Sequence, residues 1–258
     1  MTNAGESRTF VSADGTKISC VVAGQGRPLV IMPGTLTVPA MYLPLVALLA
    51  ERYTVTLVSR RGYGATDRGP SPCTLRSQTE DLVAVLSGIG EPAVVLGHSF
   101  GGVIAMSAAL SESTRPARLV LYEPPLALLG PEMLPTLRLC RDAVAAGKPE
   151  EAVRYAFRVS GSPDVREDTV PERALTRLAT GVHGLLADLE CVTGLPGPSP
   201  EWANLRVPVS LVRGERSTEP YVRSMDLLRT MFPAVPIAVL PGQAHFPEDM
   251  PLVDTAIG

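Results

Sequence analysis

The chain predicts an α/β fold, a mostly parallel eight-stranded sheet flanked by helices and interrupted by an inserted helical cap. Three observations predict it. Short apolar runs rich in β-branched residues alternate with stretches whose apolar residues recur at helical spacing, the signature of parallel strands joined by crossover helices. That alternation stops for about eighty residues after Tyr122 and then resumes, which marks an insertion. The 258 residues, 45% of them hydrophobic, suffice for one large domain carrying such an insertion.

The elements follow in order. Phe10–Ala13 and Thr16–Val22 alternate like half-buried strands, and Asp14-Gly15 between them is a hairpin signal, so the two form an antiparallel edge. Leu29–Met32 is a buried strand ending at Pro33-Gly34-Thr35. Met41–Arg52 carries Leu45, Leu48 and Leu49 at helical spacing. Tyr53–Val58 is the next strand, followed by the loop Arg60-Arg61-Gly62-Tyr63-Gly64. Leu82, Val85 and Leu86 share one face of a helix running from Ser77, with Ser77 or Thr79 as its cap.

Ala93–Leu96 then runs into Gly97-His98-Ser99-Phe100-Gly101, which matches G-x-S-x-G, and small and apolar residues follow from Gly102 to Leu110. Strand, sharp turn and helix is the context of a nucleophile elbow, in which the serine sits on a strained turn and its neighbours must lack bulk. Arg118–Tyr122 is a further strand, ending at Glu123-Pro124-Pro125. In the insertion, three apolar stripes predict helices: Met133, Leu137, Cys140 and Val144; Val153, Ala156 and Phe157; and Leu175, Leu178, Val182, Leu185 and Leu189. The expected division is a core domain of residues 1–123 and 201–258 with a cap of residues 124–200. Val207–Arg213 and Ile237–Leu240 complete the strands, Tyr221–Met231 is an amphipathic helix, and Phe246 to Gly258 leaves room for one short helix.

Bulk composition narrows the function. Net charge is −3 and no basic run exceeds Arg60-Arg61, which argues against nucleic acid as a partner. No apolar run is long enough to span a membrane, and Met1 to Thr9 lacks the apolar core of a signal peptide. Cys20, Cys73, Cys140 and Cys191 are far apart with no C-x-x-C, as expected of reduced thiols in a cytoplasmic protein rather than a disulfide frame or metal site.

Carboxyl ends of parallel strands are where ligands bind, and Ser99, Glu123, the stretch 214–217 and His245 all fall there. With Pro33-Gly34-Thr35, Arg60-Arg61-Gly62-Tyr63-Gly64, Gly97 to Gly102, Leu121 to Pro125 and Gly242 to Phe246, the chain resembles the α/β-hydrolase superfamily over nearly its whole length. Within it, the chain is most similar to small bacterial capped serine hydrolases of carboxylesterase or lactonase type. The resemblance implies Ser99 as nucleophile, His245 as base, and oxyanion donors from the Phe100 N–H and Thr35, whose hydroxyl adds a side-chain donor. His98 then has a supporting role, His183 lies beside the cap stripe, and Arg60 and Arg61 are structural. Relatives carry His-Gly where this chain has Pro33-Gly34, and an Asp where it has Arg216 and Ser217, neither of which can orient an imidazole. The expected acid is Glu123, with Glu215 or Glu219 as the alternative and a dyad without an acid as the remaining reading.

The expected activity is hydrolysis of an ester, lactone or thioester of a small apolar substrate through a Ser99 acyl-enzyme. It needs no cofactor and no metal, and its partner is a small-molecule substrate; a homo-oligomer is compatible with the sequence. Two alternatives stay open: a tailoring enzyme performing acyl transfer, cyclisation or carbon–carbon bond hydrolysis, and a ligand-binding relative with impaired catalysis.

Overall fold

The computed structural model of the protein describes residues 5–70, 72–111, 113–114, 116–160 and 170–246. Eight strands, β1 (Glu6–Val11), β2 (Lys17–Ala23), β3 (Arg27–Met32), β4 (Tyr53–Val58), β5 (Val94–His98), β6 (Arg118–Tyr122), β7 (Val209–Gly214) and β8 (Ile237–Leu240), form one sheet. Their order is β1-β2-β4-β3-β5-β6-β7-β8. The β2 strand runs antiparallel to both β1 and β4, and every later pairing is parallel. The Asp14-Gly15 turn joins β1 to β2 as expected, with Gly15 at φ 85° and Asp14 Oδ1 accepting the Thr16 N–H at 2.9 Å. The first strand starts earlier than Phe10: Glu6 to Thr9 pair with β2 but are polar and exposed, which leaves no apolar signal to read.

Helices cover both faces because the central strands are apolar on both. In β3, Leu29 and Ile31 pack on one side with Leu45 and Leu49 of α1 (Leu43–Leu49). Val30 and Met32 pack on the other side with Leu82 and Val85 of α2 (Leu75–Ile89) and Val103 and Ile104 of α3 (Phe100–Ala108). The α1 helix is shorter than Met41–Arg52. Pro39–Met41 forms a separate tight turn before it, and the Glu51 and Arg52 N–H groups turn back to the carbonyls of Leu48 and Leu49 after it. The α2 cap is Thr74, which exchanges hydrogen bonds with Ser77 as a capping box, so Ser77 and Thr79 lie inside the helix.

Between β6 and β7 stand α4 (Leu134–Ala145), α5 (Pro149–Ser160), α6 (Glu172–Ala179) and α7 (Val182–Thr193). The third stripe is thus two helices, broken at Thr180-Gly181, where glycine and the loss of helical hydrogen bonds coincide. After β7 comes α8 (Tyr221–Met231). The expected last helix, Phe246 to Gly258, lies beyond Phe246 outside the described residues.

Two buried arginines tie the loop after β4 to its surroundings. Arg61 binds Asp81 of α2 at 2.6 Å and Asp14 of the hairpin at 3.0 Å. Arg60 binds Asp188 of α7 at 2.6 Å, with both side chains at most 2% exposed. Removing one partner of such a pair strands a buried charge and costs about 3–5 kcal/mol.

The chain runs from β3 outward to β4 and then back across to β5 on the other side of β3, so the connections diverge above the carboxyl ends of β3 and β5. A crevice opens at such a switch point. Close approach there depends on Gly97: a methyl group at this position would sit 2.6 Å from the Gly102 Cα and 2.9 Å from the Gly101 carbonyl oxygen, both backbone atoms. Gly97→Ala is expected to lower the free energy of unfolding by about 1–3 kcal/mol, the usual cost of overpacking. Urea unfolding with an unchanged midpoint would show that the turn tolerates the methyl group.

Candidate active site

Ser99 stands between β5 and α3 with φ 52° and ψ −127°, a backbone conformation that side-chain-bearing residues rarely adopt. Its N–H donates to the Tyr122 carbonyl at 2.8 Å, and the Gly102 N–H donates to its own carbonyl at 2.8 Å. These bonds hold the turn tight and leave the hydroxyl at the crevice. Two other non-glycine residues have positive φ, Leu36 at 59° and Glu123 at 47°. Ser99 and Glu123 directly follow β5 and β6, and Leu36 lies in the loop after β3, so the strained positions fall on the carboxyl side of the central strands.

The structure brings Ser99, His245 and Glu123 into one hydrogen-bonded chain. Ser99 Oγ lies 3.0 Å from His245 Nε2, and His245 Nδ1 lies 2.8 Å from Glu123 Oε2. A carboxylate only accepts, so Nδ1 carries the proton and Nε2 presents its lone pair to the Ser99 hydroxyl. Glu123 is fully buried; its second oxygen, Oε1, accepts the Gly214 N–H at 2.8 Å. Gly214 must be glycine, because a Cβ there would lie 2.4 Å from the Gln243 carbonyl oxygen in the loop that carries His245.

The alternative acids lie elsewhere. Glu215 is exposed and accepts the Gly242 N–H at 2.8 Å, bracing the loop from outside. Ser217, where relatives carry their Asp, is buried with no hydrogen-bond partner for its hydroxyl. Among the carboxylates weighed from the sequence, Glu123 is the one hydrogen-bonded to His245.

Supporting contacts surround the imidazole. The Tyr221 ring stacks on it, with centroids 3.4 Å apart and planes 10° apart. His98 packs beside the imidazole, with ring centroids 5.0 Å apart. Its Nε2–H donates to the His245 carbonyl at 2.8 Å, and its Nδ1 accepts from the Tyr42 hydroxyl at 2.6 Å. Burial pushes the His98 ring down to about 3, so it stays neutral and serves as a strut. Tyr42 in turn accepts the Gly34 N–H at 3.3 Å. Neither Tyr42 nor Tyr221 carries a local sequence signal, since each is an aromatic residue beside an ordinary helix start. His183 is exposed on α7 and lies away from the site.

Phe100 is the first residue of α3, where an N–H has no partner within the helix. Across the crevice, the loop after β3 lies against Ser99: a Cβ on Gly34 would be 2.8 Å from the Ser99 Cβ. Thr35 borders the same cavity as Ser99 and Phe100. Its hydroxyl, expected as an extra donor to the site, is instead committed to Asp188 Oδ2 at 2.9 Å, a buried carboxylate being the stronger acceptor. Asp188 carries one sequence signal, an acid between Ala187 and Leu189 in a largely apolar helix, where it requires a partner.

The cavity above Ser99 measures about 90 Å³. The inserted helices wall it with Met133, Phe157, Leu185 and Leu189, and the core contributes Leu36, Tyr221 and Phe246. Among the described residues, no Lys, Arg, Asp or Glu lines it. None of the described residues forms a cluster of His, Cys, Asp and Glu suited to a metal ion. No described helix is long and apolar enough to cross a membrane.

The Alpha/beta hydrolase family matches residues 29–256, nearly nine-tenths of the chain. The chain belongs to this family. As an α/β-hydrolase it is 22% identical over 241 residues to a 2-(acetamidomethylene)succinate hydrolase of Mesorhizobium japonicum, covering 86% of this chain and 83% of the relative. It is similar to the crystal structure of an alpha/beta hydrolase from Sphaerobacter thermophilus, with TM-score 0.73 and 26% identity over 92% of this chain and 94% of that one. An esterase from a Rhodococcus species shares the fold, with TM-score 0.75 and 23% identity over 100% and 98% of the two chains. The protein is accordingly a hydrolase of the α/β-hydrolase fold.

Burial pushes the His245 imidazole below its ordinary value of 6.5, while the Glu123 hydrogen bond and charge push it back up. Nitrogen NMR of the ring is expected to show a titration midpoint below 6.5. Glu123→Gln removes the upward influence, so the midpoint should fall further; an upward shift would mean that Glu123 does not act on this ring.

Proposed function

We propose that the protein is a serine hydrolase that cleaves an ester, lactone or thioester of a small apolar substrate through an acyl-enzyme on Ser99. The observation that carries this reading is the chain from Ser99 Oγ through His245 to Glu123, with bonds of 3.0 and 2.8 Å, at the floor of an apolar cavity. A serine hydroxyl is a weak nucleophile unless a base takes its proton as it attacks. His245 Nε2 is that base, and the neutral form it needs persists into mildly acidic solution because burial disfavours the imidazolium. Glu123 holds Nδ1–H and offsets the positive charge that forms when the ring accepts the proton.

Attack makes a tetrahedral oxyanion. The backbone N–H groups of Phe100, next to Ser99 in the chain, and of Thr35, in the loop that lies against Ser99, are its donors, and each such donor is worth roughly 3 kcal/mol. Pro33 replaces a residue that has an N–H but leaves the Thr35 donor intact. His245 then returns the proton to the leaving group, and water repeats the sequence on the acyl-enzyme. No step requires a cofactor or metal. The insertion, residues 124–200, acts as the lid that excludes bulk water and selects the acyl group.

An apolar wall and a cavity of about 90 Å³ favour a short uncharged acyl chain. A carboxylate placed there would be buried without a partner, at several kcal/mol. An ester bearing a free carboxylate on its acyl part, mono-p-nitrophenyl succinate, is therefore expected to react with kcat/KM at least about 100-fold below that of p-nitrophenyl butyrate, corresponding to about 3 kcal/mol. Equal rates would place a cation in the pocket and reject the apolar assignment.

Ser99→Ala should abolish both p-nitrophenyl butyrate turnover and covalent labelling by a fluorophosphonate. Labelling that survives would remove Ser99 from its role. Glu123→Gln should cost roughly 10³- to 10⁴-fold in kcat, as loss of an orienting carboxylate does, whereas Glu215→Gln should leave kcat within about threefold. The reverse ranking would move the acid to the loop after β7.

A further inference from the structure

The hydrogen-bond pattern around Arg60 extends the proposed mechanism to the lid. The Gly34 carbonyl oxygen accepts two hydrogen bonds, from Arg60 Nη2 at 3.0 Å and from the Thr37 hydroxyl at 2.6 Å. That carbonyl shares a peptide group with the Thr35 N–H. A trans peptide is planar, with its C=O and N–H pointing in opposite directions. Fixing the carbonyl therefore fixes the direction of the N–H. Gly34 lies against Ser99, and Thr35 borders its cavity, so the plane so fixed is the one that faces the nucleophile.

Arg60 is itself fixed by the insertion. Asp188 Oδ1 accepts from its Nη1 at 2.9 Å and Asp188 Oδ2 from its Nη2 at 2.6 Å, a two-point grip that sets the plane of the guanidinium. Asp188 Oδ2 also takes the Thr35 hydroxyl at 2.9 Å and the Tyr63 hydroxyl at 2.8 Å. Gln78 of α2 bridges the pair, accepting from Arg60 Nη1 at 2.6 Å and donating to Asp188 Oδ1 at 3.2 Å.

We infer that Asp188, Arg60 and Thr37 are positioning residues that lock the Gly34–Thr35 peptide with its N–H toward the oxyanion, so that the hole is complete only while α7 is docked. This rests on the serine-hydrolase reading. None of the three touches the reacting atoms; each acts through the peptide plane. A lid that carries Asp188 thereby couples its own closure to transition-state stabilisation. The neighbouring pair Arg61–Asp81 provides an internal control, since it is equally buried on the Asp81 side and equally short at 2.6 Å but holds α2 and the hairpin rather than the oxyanion peptide.

The test compares wild type, Asp188→Asn, Thr37→Val and Asp81→Asn in the full chain. Turnover of p-nitrophenyl butyrate is measured together with inhibition by a short-chain trifluoromethyl ketone, whose carbonyl carbon bonds the Ser99 oxygen and whose carbonyl oxygen becomes an oxyanion. The parent methyl ketone, which binds without addition, reports the cavity alone. Asp188→Asn and Thr37→Val are expected to lower kcat by roughly 10- to 100-fold with KM within about threefold, as loss of an interaction made only in the transition state does. Trifluoromethyl ketone affinity should fall by a similar factor while methyl ketone affinity holds. Asp81→Asn should lower the thermal midpoint with kcat within about twofold of wild type. Thr37→Val leaves the buried ion pair intact, so it decides the matter even where Asp188→Asn fails to fold. The inference is overturned when Thr37→Val keeps full kcat and trifluoromethyl ketone affinity, or when Asp81→Asn loses kcat as Asp188→Asn does. A wild type that neither turns over the ester nor binds the trifluoromethyl ketone overturns the serine-hydrolase reading and this inference together.

Discussion

A carboxylate and an imidazole, both shut away from water, stand 2.8 Å apart at the end of the sheet. Neither could be buried alone: an unpaired carboxylate inside a protein costs several kcal/mol and would take up a proton instead. The surroundings answer this requirement. Gly214 supplies an N–H to the other oxygen of Glu123 and, lacking a side chain, lets the His245 loop lie against the end of β7. Tyr221 lies flat on the imidazole, and His98 holds the backbone of the same loop. The left-handed backbone at Glu123 aims its side chain across β7 toward His245, a conformation kept because these bonds over-determine it.

The same logic operates on the other side of Ser99. There a buried arginine is balanced by an aspartate from the inserted helices, and the surplus hydrogen-bonding capacity of both is used on the loop after β3. The crevice thus has two polar supports, one under the imidazole and one behind the loop after β3, beside an apolar cavity. For the proposed acyl transfer, charge that appears briefly during reaction would meet these fixed supports, beside a cavity that no charged side chain among the described residues lines.

The carboxylate that meets His245 comes from the neighbouring strand end. The carboxyl ends of β6 and β7 are adjacent, and Glu123 at the end of β6 reaches the imidazole from one strand over. The longer glutamate side chain makes that reach, whereas Ser217 occupies the place after β7 without a partner for its hydroxyl. Hydrogen-bond geometry at the imidazole, rather than the strand of origin, is what the chemistry requires.

Much of this was legible in the residues alone. Period and apolar runs placed all eight strands, because the central ones are buried on both faces and leave a strong signal; several ends shifted by up to two residues and the exposed start of β1 by four. The turn at Ser99 was legible because strained geometry demands glycines at set distances. Glu123 stood out as a carboxylate ending an apolar strand, but its standing against Glu215 and Glu219 depended on which side chain meets His245 across 122 residues of chain. The break between α6 and α7 was blurred by an apolar stripe that continues through both helices. Arg60, Asp188, Tyr42 and Tyr221 carried no local pattern that tied them to the site. Local propensity and spacing determine which elements form and which residues stand at strand ends, since those follow from neighbours in sequence. Which carboxylate meets which ring, and which helix braces which loop, is decided only when distant segments pack and each buried polar atom must find its partner.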